Sequence, residues 1–299
     1  MMLTSSPTYR DASPAARRAM SLAFEHHEVT DGELRVALWR AGVPFGEREH
    51  ACAIVRHLKL PTTGLEARDP LRLARLVSLA VRHDWLVAVA GALAATPADA
   101  EACALWAEHC REHGIFDRAQ PFASAHTRRC FVETNRPPDV IAHDDTTCEV
   151  LVMSGLPAAG KDTYLAARAL PVISLDAIRD ELAVDPADNQ GSVVTAAREQ
   201  ARVYLRDEQP FAWNATNLSR MHRAAILELV RAYRGRTHLI YCEATATEQR
   251  ARNRARRDSV PSSAIERMLE RWTVPDPSEA HEVTYVVDDP GDLAWPPAH

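Results

Sequence analysis

Lysine is almost absent from this 299-residue sequence. Only Lys59 and Lys161 are lysines, so arginine supplies nearly all of the 35 basic residues. Because a lysine-poor, alanine-rich composition is typical of coding bias, an arginine cluster is a weaker sign of a binding site here than elsewhere. Lys161 is a stronger sign, since it stands in a chain that otherwise avoids lysine.

Other absences narrow the class of protein. The six cysteines form no CxxC pair and no zinc-ligand spacing, so we expect free, buried thiols in a reducing compartment. There is no signal-peptide pattern, and no apolar run approaches the ~20 residues of a membrane span. We therefore expect a cytoplasmic protein without a membrane partner. The net charge of −6 and the pI near 6.1 argue against a generally basic nucleic-acid binder, but they allow a local basic groove.

The amino-terminal half has a helical pattern. Apolar residues recur at spacings of three and four, glycines and prolines separate the segments, and no strand pattern competes. The predicted helices cover residues 14–27, 31–42, 46–60, 70–95 and 97–114. Residues 1–145 are thus predicted to form an all-α domain. The segment 133–147, which contains Pro137-Pro138, is predicted to connect it to a second domain over residues 146–299.

The second domain begins with the stretch VLVMSGLPAAGKDTYL, residues 150–165. An apolar strand, a glycine-bounded loop and a helix in this order are typical of a phosphate-binding P-loop. Lys161 would reach the β- and γ-phosphates of ATP or another nucleoside triphosphate, and the helix amino terminus would add partial positive charge. Asp162 stands where serine or threonine usually holds Mg²⁺, so Asp162 and Thr163 are the predicted metal ligands. The predicted cofactor-binding residues are Gly155, Leu156, Pro157, Ala158, Ala159, Gly160, Lys161, Asp162 and Thr163.

Strand and helix patterns alternate after this loop, which predicts an α/β fold with a parallel sheet, as in P-loop kinases. The predicted strands are residues 170–175, 211–213, 237–242 and 282–287. The predicted helices are residues 176–182, 193–207, 218–233, 247–258 and 262–272. Ligands of such sheets bind at the carboxyl ends of the strands, where three further groups of candidate residues lie.

Asp176 and Arg179 follow the second strand. An aspartate here can accept the proton of an attacking hydroxyl, and an arginine one turn later can bind an acceptor phosphate. The alternative is that Asp176 is only a helix N-cap.

Asn214, Thr216 and Asn217 follow the third strand. Because Asn214 is neutral where many P-loop enzymes have an acidic residue, we expect Asp162 to supply the missing charge near Mg²⁺. Thr216 and Asn217 are candidate substrate-binding residues, and ordinary turn chemistry is the alternative for both.

The segment EQRARNRARRD contains the last group. Arg252 and Arg256 share a helical face, and an arginine in such a lid would stabilise the charge that develops on the transferring phosphoryl group. The alternative is a solvated arginine face.

These motifs occur in the order that is found in phage-type polynucleotide 5′-kinases, and the carboxyl-terminal half resembles that family. The resemblance rests on GLPAAGKDTYL, SLDAIRDEL, the NATN turn and the RNRAR segment. It implies that Lys161, Asp176 and Arg256 are catalytic, with Asp176 as the general base. It also implies that Arg179 binds the acceptor and that the substrates are ATP·Mg²⁺ and a 5′-OH end of DNA or RNA.

The amino-terminal half resembles the later helices of HD-type phosphohydrolases, on REHACAIVRHLKLP and RLVSLAVRHDW. The early His-Asp motif of that family is absent, so the resemblance implies a degenerate, structural domain in which Asp84 lacks metal partners. The whole chain resembles bacterial fusions of the two domains that repair nucleic-acid ends. Two other functions remain open from the sequence: a P-loop kinase of a small hydroxyl compound, and a non-catalytic nucleotide-dependent scaffold.

Overall fold

The computed structural model describes residues 2–185, 188 and 190–297, which form two compact units. The helical unit runs to Ala142 and also contains Asp276–Ser278 and the residues from Asp289 onward. The sheet unit comprises His143–Pro275 and Glu279–Asp288. The sequence-based division at residue 145 did not anticipate the two late segments that return to the helical unit.

The helical unit contains helices and two short 3₁₀ turns, Leu3–Ser5 and Gly64–Glu66, and none of its described residues lies in a strand. Its helices are α1 Pro7–Asp11, α2 Pro14–Glu25, α3 Asp31–Arg40, α4 Phe45–His57, α5 Leu60–Thr63, α6 Pro70–Ser78, α7 His83–Leu93, α8 Pro97–Glu112 and α9 Ala125–Thr134. Capping boxes start α3 at Thr30 and α8 at Thr96. In each, the threonine hydroxyl accepts from a backbone N–H that the helix would leave unpaired.

The single helix predicted over residues 70–95 is wrong, because the chain breaks between α6 and α7 and turns by 106°. Long-range hydrogen bonds hold this break. Gln120 N donates to Ser78 Oγ at 2.9 Å, and Asp84 N donates to Phe116 O at 2.8 Å.

In the part of the chain that the structure describes, no single helix is long and apolar enough to cross a membrane. Only α6 and α7 taken together, as a bent pair, pass that test of length and composition.

His83 is a core residue of the helical unit, as the contacts of both its ring nitrogens indicate. Nε2 lies 2.9 Å from Ala74 O, and Nδ1 accepts from the Trp106 indole N–H at 3.4 Å. Burial lowers the pKa of His83 to about 4. The neighbouring Asp84 is buried beside Arg82, whose Nη2 lies 2.6 Å from its carboxylate, and also accepts from Trp85 N. These contacts favour the structural interpretation of the His83-Asp84 pair.

Mild acid should destabilise the helical unit. Burial lowers the pKa values of both His50 and His83 to about 4, against about 6.5 when exposed. Between pH 6.5 and pH 4 these histidines are therefore protonated in the unfolded chain but neutral in the folded chain. Each histidine then lowers the free energy of unfolding by up to about 1.4 kcal/mol per pH unit as the pH falls. Thermal unfolding between pH 7 and 4 measures this effect. A melting temperature that is flat over this range, or an unchanged slope in His83→Gln, would contradict the prediction.

The sheet unit is an α/β fold, as predicted, with a five-stranded, entirely parallel sheet in the order β2-β3-β1-β4-β5. Its strands are β1 Glu149–Ser154, β2 Val172–Ser174, β3 Phe211–Asn214, β4 Arg236–Glu243 and β5 Glu282–Val287. Its helices are α10 Lys161–Ala166, α11 Leu175–Glu181, α12 Gly191–Arg206, α13 Arg220–Ala232, α14 Ala246–Ala255 and α15 Ser262–Leu269. Because β1 is central and all strands are parallel, the loops that follow β1, β2 and β3 lie at one edge.

All six cysteines are free, as predicted, and all but the half-buried Cys130 are buried. Burial raises the pKa of Cys52 to about 12 and that of Cys242 to about 11, so these thiols are protonated at neutral pH.

Candidate active site at the P-loop

The loop between β1 and α10 turns at a residue that must be glycine. Gly155 has φ +145°, and a Cβ atom there would lie 2.2 Å from Cys242 O on the neighbouring strand β4. Gly155 N donates to Thr216 O at 2.9 Å, which ties the loop to the chain after β3. Gln249 supports the other side of the loop, since its buried amide donates to Pro157 O at 3.0 Å. Sequence analysis missed Gln249, because only the folded chain brings α14 to the loop.

The Lys161 side chain contacts the backbone of the P-loop. Its ammonium group donates to Gly155 O and Leu156 O, each at 2.9 Å. Burial lowers the pKa of Lys161 to about 8, while the nearby charges of Asp162 and Asp176 raise it and Arg256 lowers it. Lys161 is therefore within electrostatic reach of both other predicted catalytic residues. A triphosphate in the loop would offer the Lys161 ammonium group charged acceptors in place of these two carbonyl groups.

Asp162 and Asn214 are in direct contact. Asn214 Nδ2 donates to Asp162 Oδ1 at 2.7 Å, although 52 residues separate them in the chain. The contact places the Asp162 carboxylate at the end of β3, where the sequence has no acidic residue of its own. With the exposed hydroxyl of Thr163 it forms a set of oxygen donors of the kind that Mg²⁺ prefers.

The carboxylate expected near Mg²⁺ should work from either position 162 or position 214. We expect Asp162→Ser to raise the Mg²⁺ concentration that gives half-maximal activity, because the site loses its carboxylate. Asp162→Ser combined with Asn214→Asp should lower it again, since the acidic group is then restored on β3. Titration of activity with Mg²⁺ tests this. Full activity of Asp162→Ser at an unchanged Mg²⁺ optimum would show that the carboxylate is dispensable.

Asp176 projects into solvent at the carboxyl end of β2. The N-cap of α11 is Ser174, whose hydroxyl accepts from Ala177 N, so the alternative that Asp176 caps the helix is wrong. The Asp176 side chain is 77% exposed, and Arg179 Nη1 donates to its Oδ1 at 2.5 Å. Gln190 fixes the other side of this arginine, because Arg179 Nε donates to Gln190 Oε1 at 2.7 Å. These contacts hold the Arg179 guanidinium between Asp176 and Gln190 at the carboxyl end of β2.

Asn217 supports β1. Its backbone is left-handed, with φ +44°, and its buried side-chain amide donates to Met153 O at 2.8 Å. Its own carbonyl accepts from Ser154 Oγ at 3.0 Å. Thr216 contributes the carbonyl that holds Gly155. These contacts agree with the turn interpretation of both residues, and no described contact favours the predicted substrate-binding role of Asn217.

A cavity of about 600 Å³ opens beside the P-loop, next to the arginines of α14. It is lined by Ala158, Ala159, Gly160, Asp162, Thr163, Tyr164, Arg252, Arg256, Val286 and Asp288. Arg256 is exposed at the carboxyl end of α14, while Arg252 Nη2 contacts Asp288 Oδ2 at 2.8 Å. The cavity lining thus combines two arginines with two aspartates, Asp162 and Asp288. The predicted helical face shared by Arg252 and Arg256 is wrong, because α14 ends at Ala255 and Arg256 is its extended C-cap residue, although both arginines line the cavity.

Comparisons with known proteins gave two matches, one to a family and one to a solved structure. The family described as an AAA domain matches residues 150–275. Among solved structures, a protein described as a "putative kinase from Chloroflexus aurantiacus J-10-fl" is 16% identical, with a TM-score of 0.40 over 48% of this chain and 86% of that chain. No curated protein matches. Residues 150–275 are thus similar to that family, and the order of strand, glycine loop and helix is that of a nucleotide-binding P-loop.

Proposed function

We propose that the sheet unit transfers the γ-phosphoryl group of ATP to the 5′-hydroxyl end of a nucleic acid. The observation that carries this proposal is the position of Asp176. Its exposed carboxylate follows β2, at the same carboxyl edge of the parallel sheet where the P-loop follows β1. A phosphate-binding loop and a solvent-facing base at one edge of the sheet are the two parts that phosphoryl transfer to a hydroxyl requires.

Each residue has a defined task in this reaction. The oxygen of the acceptor hydroxyl forms a bond to the γ-phosphorus, and the Asp176 carboxylate accepts the proton of that hydroxyl. The bond between the γ-phosphorus and the β–γ bridging oxygen breaks, which releases ADP. Lys161 and the loop N–H groups hold the phosphates, and Arg256 faces the charge that develops on the transferring group. Asp162 and Thr163 would hold Mg²⁺, which supplies neutralising charge to the phosphates when bound.

Arg179 supports a nucleotide acceptor. It is anchored by Asp176 and Gln190, and its planar guanidinium suits a phosphate that adjoins the reacting hydroxyl. A nucleoside 3′-monophosphate, which carries a phosphate as well as a free 5′-hydroxyl, should therefore react faster than the same nucleoside without the phosphate. The acidic net charge of −6 favours the second candidate, a kinase of a small hydroxyl compound, because such an acceptor needs no basic groove.

A series of acceptors tests the proposal. With γ-labelled ATP and Mg²⁺, we expect label on a 5′-OH oligonucleotide and on a nucleoside 3′-monophosphate, but little on the nucleoside. Arg179→Gln should remove the advantage of the 3′-phosphate. Arg202→Gln is the matched control, since Arg202 also pairs with an acidic residue three positions before it, Glu199.

Two outcomes would oppose the proposal. Labelling of a bare nucleoside or an unrelated hydroxyl compound as fast as the oligonucleotide would favour the small-molecule kinase. Nucleotide binding without any transfer would favour the non-catalytic scaffold.

For the helical unit we propose a structural role, as a degenerate relative of HD phosphohydrolases. Asp84 supports this role because its carboxylate is occupied by Arg82 and by Trp85 N. The groups of described residues that could hold a metal do not include Asp84.

A further inference from the structure

Three potential metal ligands converge on the last turn of α8 in the helical unit. His109, Glu112 and His113 each offer one ligand atom, and these atoms all lie within 4.8 Å of one another. His109 and Glu112 lie in the last turn of α8, and His113 is the C-cap residue that follows it, so spacings of three and four bring both side chains near that of His109. The two imidazole rings are 4.7 Å apart between centroids.

The two histidines are arranged as ligands require. His113 Nδ1 lies 2.8 Å from His109 O, which orients the ring and leaves Nε2 for another partner. His109 Nε2 is buried and has no hydrogen-bond partner among the described residues. The ring of His109 packs against Trp106, with 5.7 Å between centroids. A buried imidazole nitrogen without a partner is an unfavourable arrangement that a bound ion would relieve.

We propose that His109, Glu112 and His113 bind one divalent transition-metal ion of the zinc class. Two imidazoles and a carboxylate are a donor set that zinc accepts, with bonds of about 2.0–2.2 Å and a fourth position for water. Tetrahedral bonds of this length put ligand atoms about 3.3 Å apart. The exposed side chains of Glu112 and His113 can close the remaining distance by small rotations, because neither is packed into the core.

The ion would differ from the Mg²⁺ expected at the P-loop in chemistry as well as position. Mg²⁺ prefers oxygen ligands, whereas imidazole suits zinc, nickel and copper. The chain turns directly after this site, at Gly114, which has φ +67° and whose N–H donates to Arg111 O at 3.0 Å. An ion bridging His109 and His113 would fasten the last turn of α8 just before this bend and so stabilise the helical unit.

Calorimetric titration of the full chain with Zn²⁺, after chelator treatment and in excess Mg²⁺, tests the proposal. We expect one equivalent of Zn²⁺ to bind and the melting temperature to rise with Zn²⁺ concentration. His113→Ala and Glu112→Gln should each weaken Zn²⁺ binding more than tenfold. His27→Ala is the matched control, because His27 is also exposed beyond a helix end and its Nδ1 also lies 2.8 Å from a backbone carbonyl, Phe24 O.

A second readout locates the ion. Ni²⁺ or Cu²⁺ at the site should quench part of the tryptophan fluorescence through Trp106, and His113→Ala should abolish this quenching while its circular dichroism shows a folded chain. The proposal is overturned if the wild-type chain binds no Zn²⁺, or if His113→Ala and His27→Ala bind Zn²⁺ equally well.

Discussion

Asp176→Asn should lower the rate of phosphoryl transfer from ATP to a 5′-OH oligonucleotide by about 10²–10⁴-fold, the usual contribution of a general base. The amide keeps the shape of the side chain and an oxygen for the contact with Arg179, so the acceptor should still bind. The substitution removes the negative charge and, with it, the capacity to accept a proton. Measured at saturating ATP and oligonucleotide, the loss should appear in kcat and leave both KM values within a few-fold of the wild type.

Asp180→Asn is the control for this experiment. Asp180 lies on the same helix, α11, and is exposed, but it makes no described side-chain contact with Arg179. It should retain nearly full activity. If Asp176→Asn and Asp180→Asn were equally active, Asp176 would not be the base. A change confined to the KM of the oligonucleotide would instead mean that Asp176 acts only by holding Arg179.

Gly155→Ala should prevent ATP binding and destabilise the sheet unit by about 2–6 kcal/mol. Two costs add: a methyl group 2.2 Å from Cys242 O forces β1 and β4 apart, and φ +145° is a backbone conformation that alanine rarely adopts. Overpacking costs about 1–3 kcal/mol and backbone strain a further 1–3 kcal/mol. Because the chain has two units, the relevant measurement is the unfolding midpoint of the sheet unit in urea, with ATP affinity by calorimetry.

Gly91→Ala is the matched control for that substitution. Gly91 lies within α7, and nothing stands within 4 Å of the Cβ atom that alanine would add there. It should be neutral or stabilising by up to about 1 kcal/mol, since alanine is the better helix former. If Gly155→Ala unfolded at the wild-type urea concentration and bound ATP normally, the close approach of the P-loop to β4 would not constrain this position.

The sequence predicted the features that depend on neighbours in the chain. The P-loop could be read because a strand, a glycine loop and a helix follow each other directly, and Asp176 with Arg179 because they are one turn apart. For Asp162 and Asn214 the sequence predicted only that Asp162 supplies the negative charge that Asn214 lacks. Its hydrogen bond required β1 and β3 to be neighbours in the sheet.

Features that depend on distant partners could not be read in this way. The break after Ser78 is stabilised by Gln120 and Phe116, so an uninterrupted apolar pattern concealed it. For Asn217 the sequence left substrate binding and turn chemistry open, and its amide donates to Met153 O, 64 residues earlier. In both cases a polar group finds its partner only after the chain has folded, and local pattern carries no trace of that pairing.

The most direct test of the account is the fate of the γ-phosphate. The chain is incubated with γ-labelled ATP, Mg²⁺ and a 5′-OH oligonucleotide, beside Lys161→Met. Label on the 5′ end of the oligonucleotide, lost in Lys161→Met, is the predicted result. Release of the label as inorganic phosphate at the same rate with and without oligonucleotide, or label transfer that survives in Lys161→Met, would contradict it.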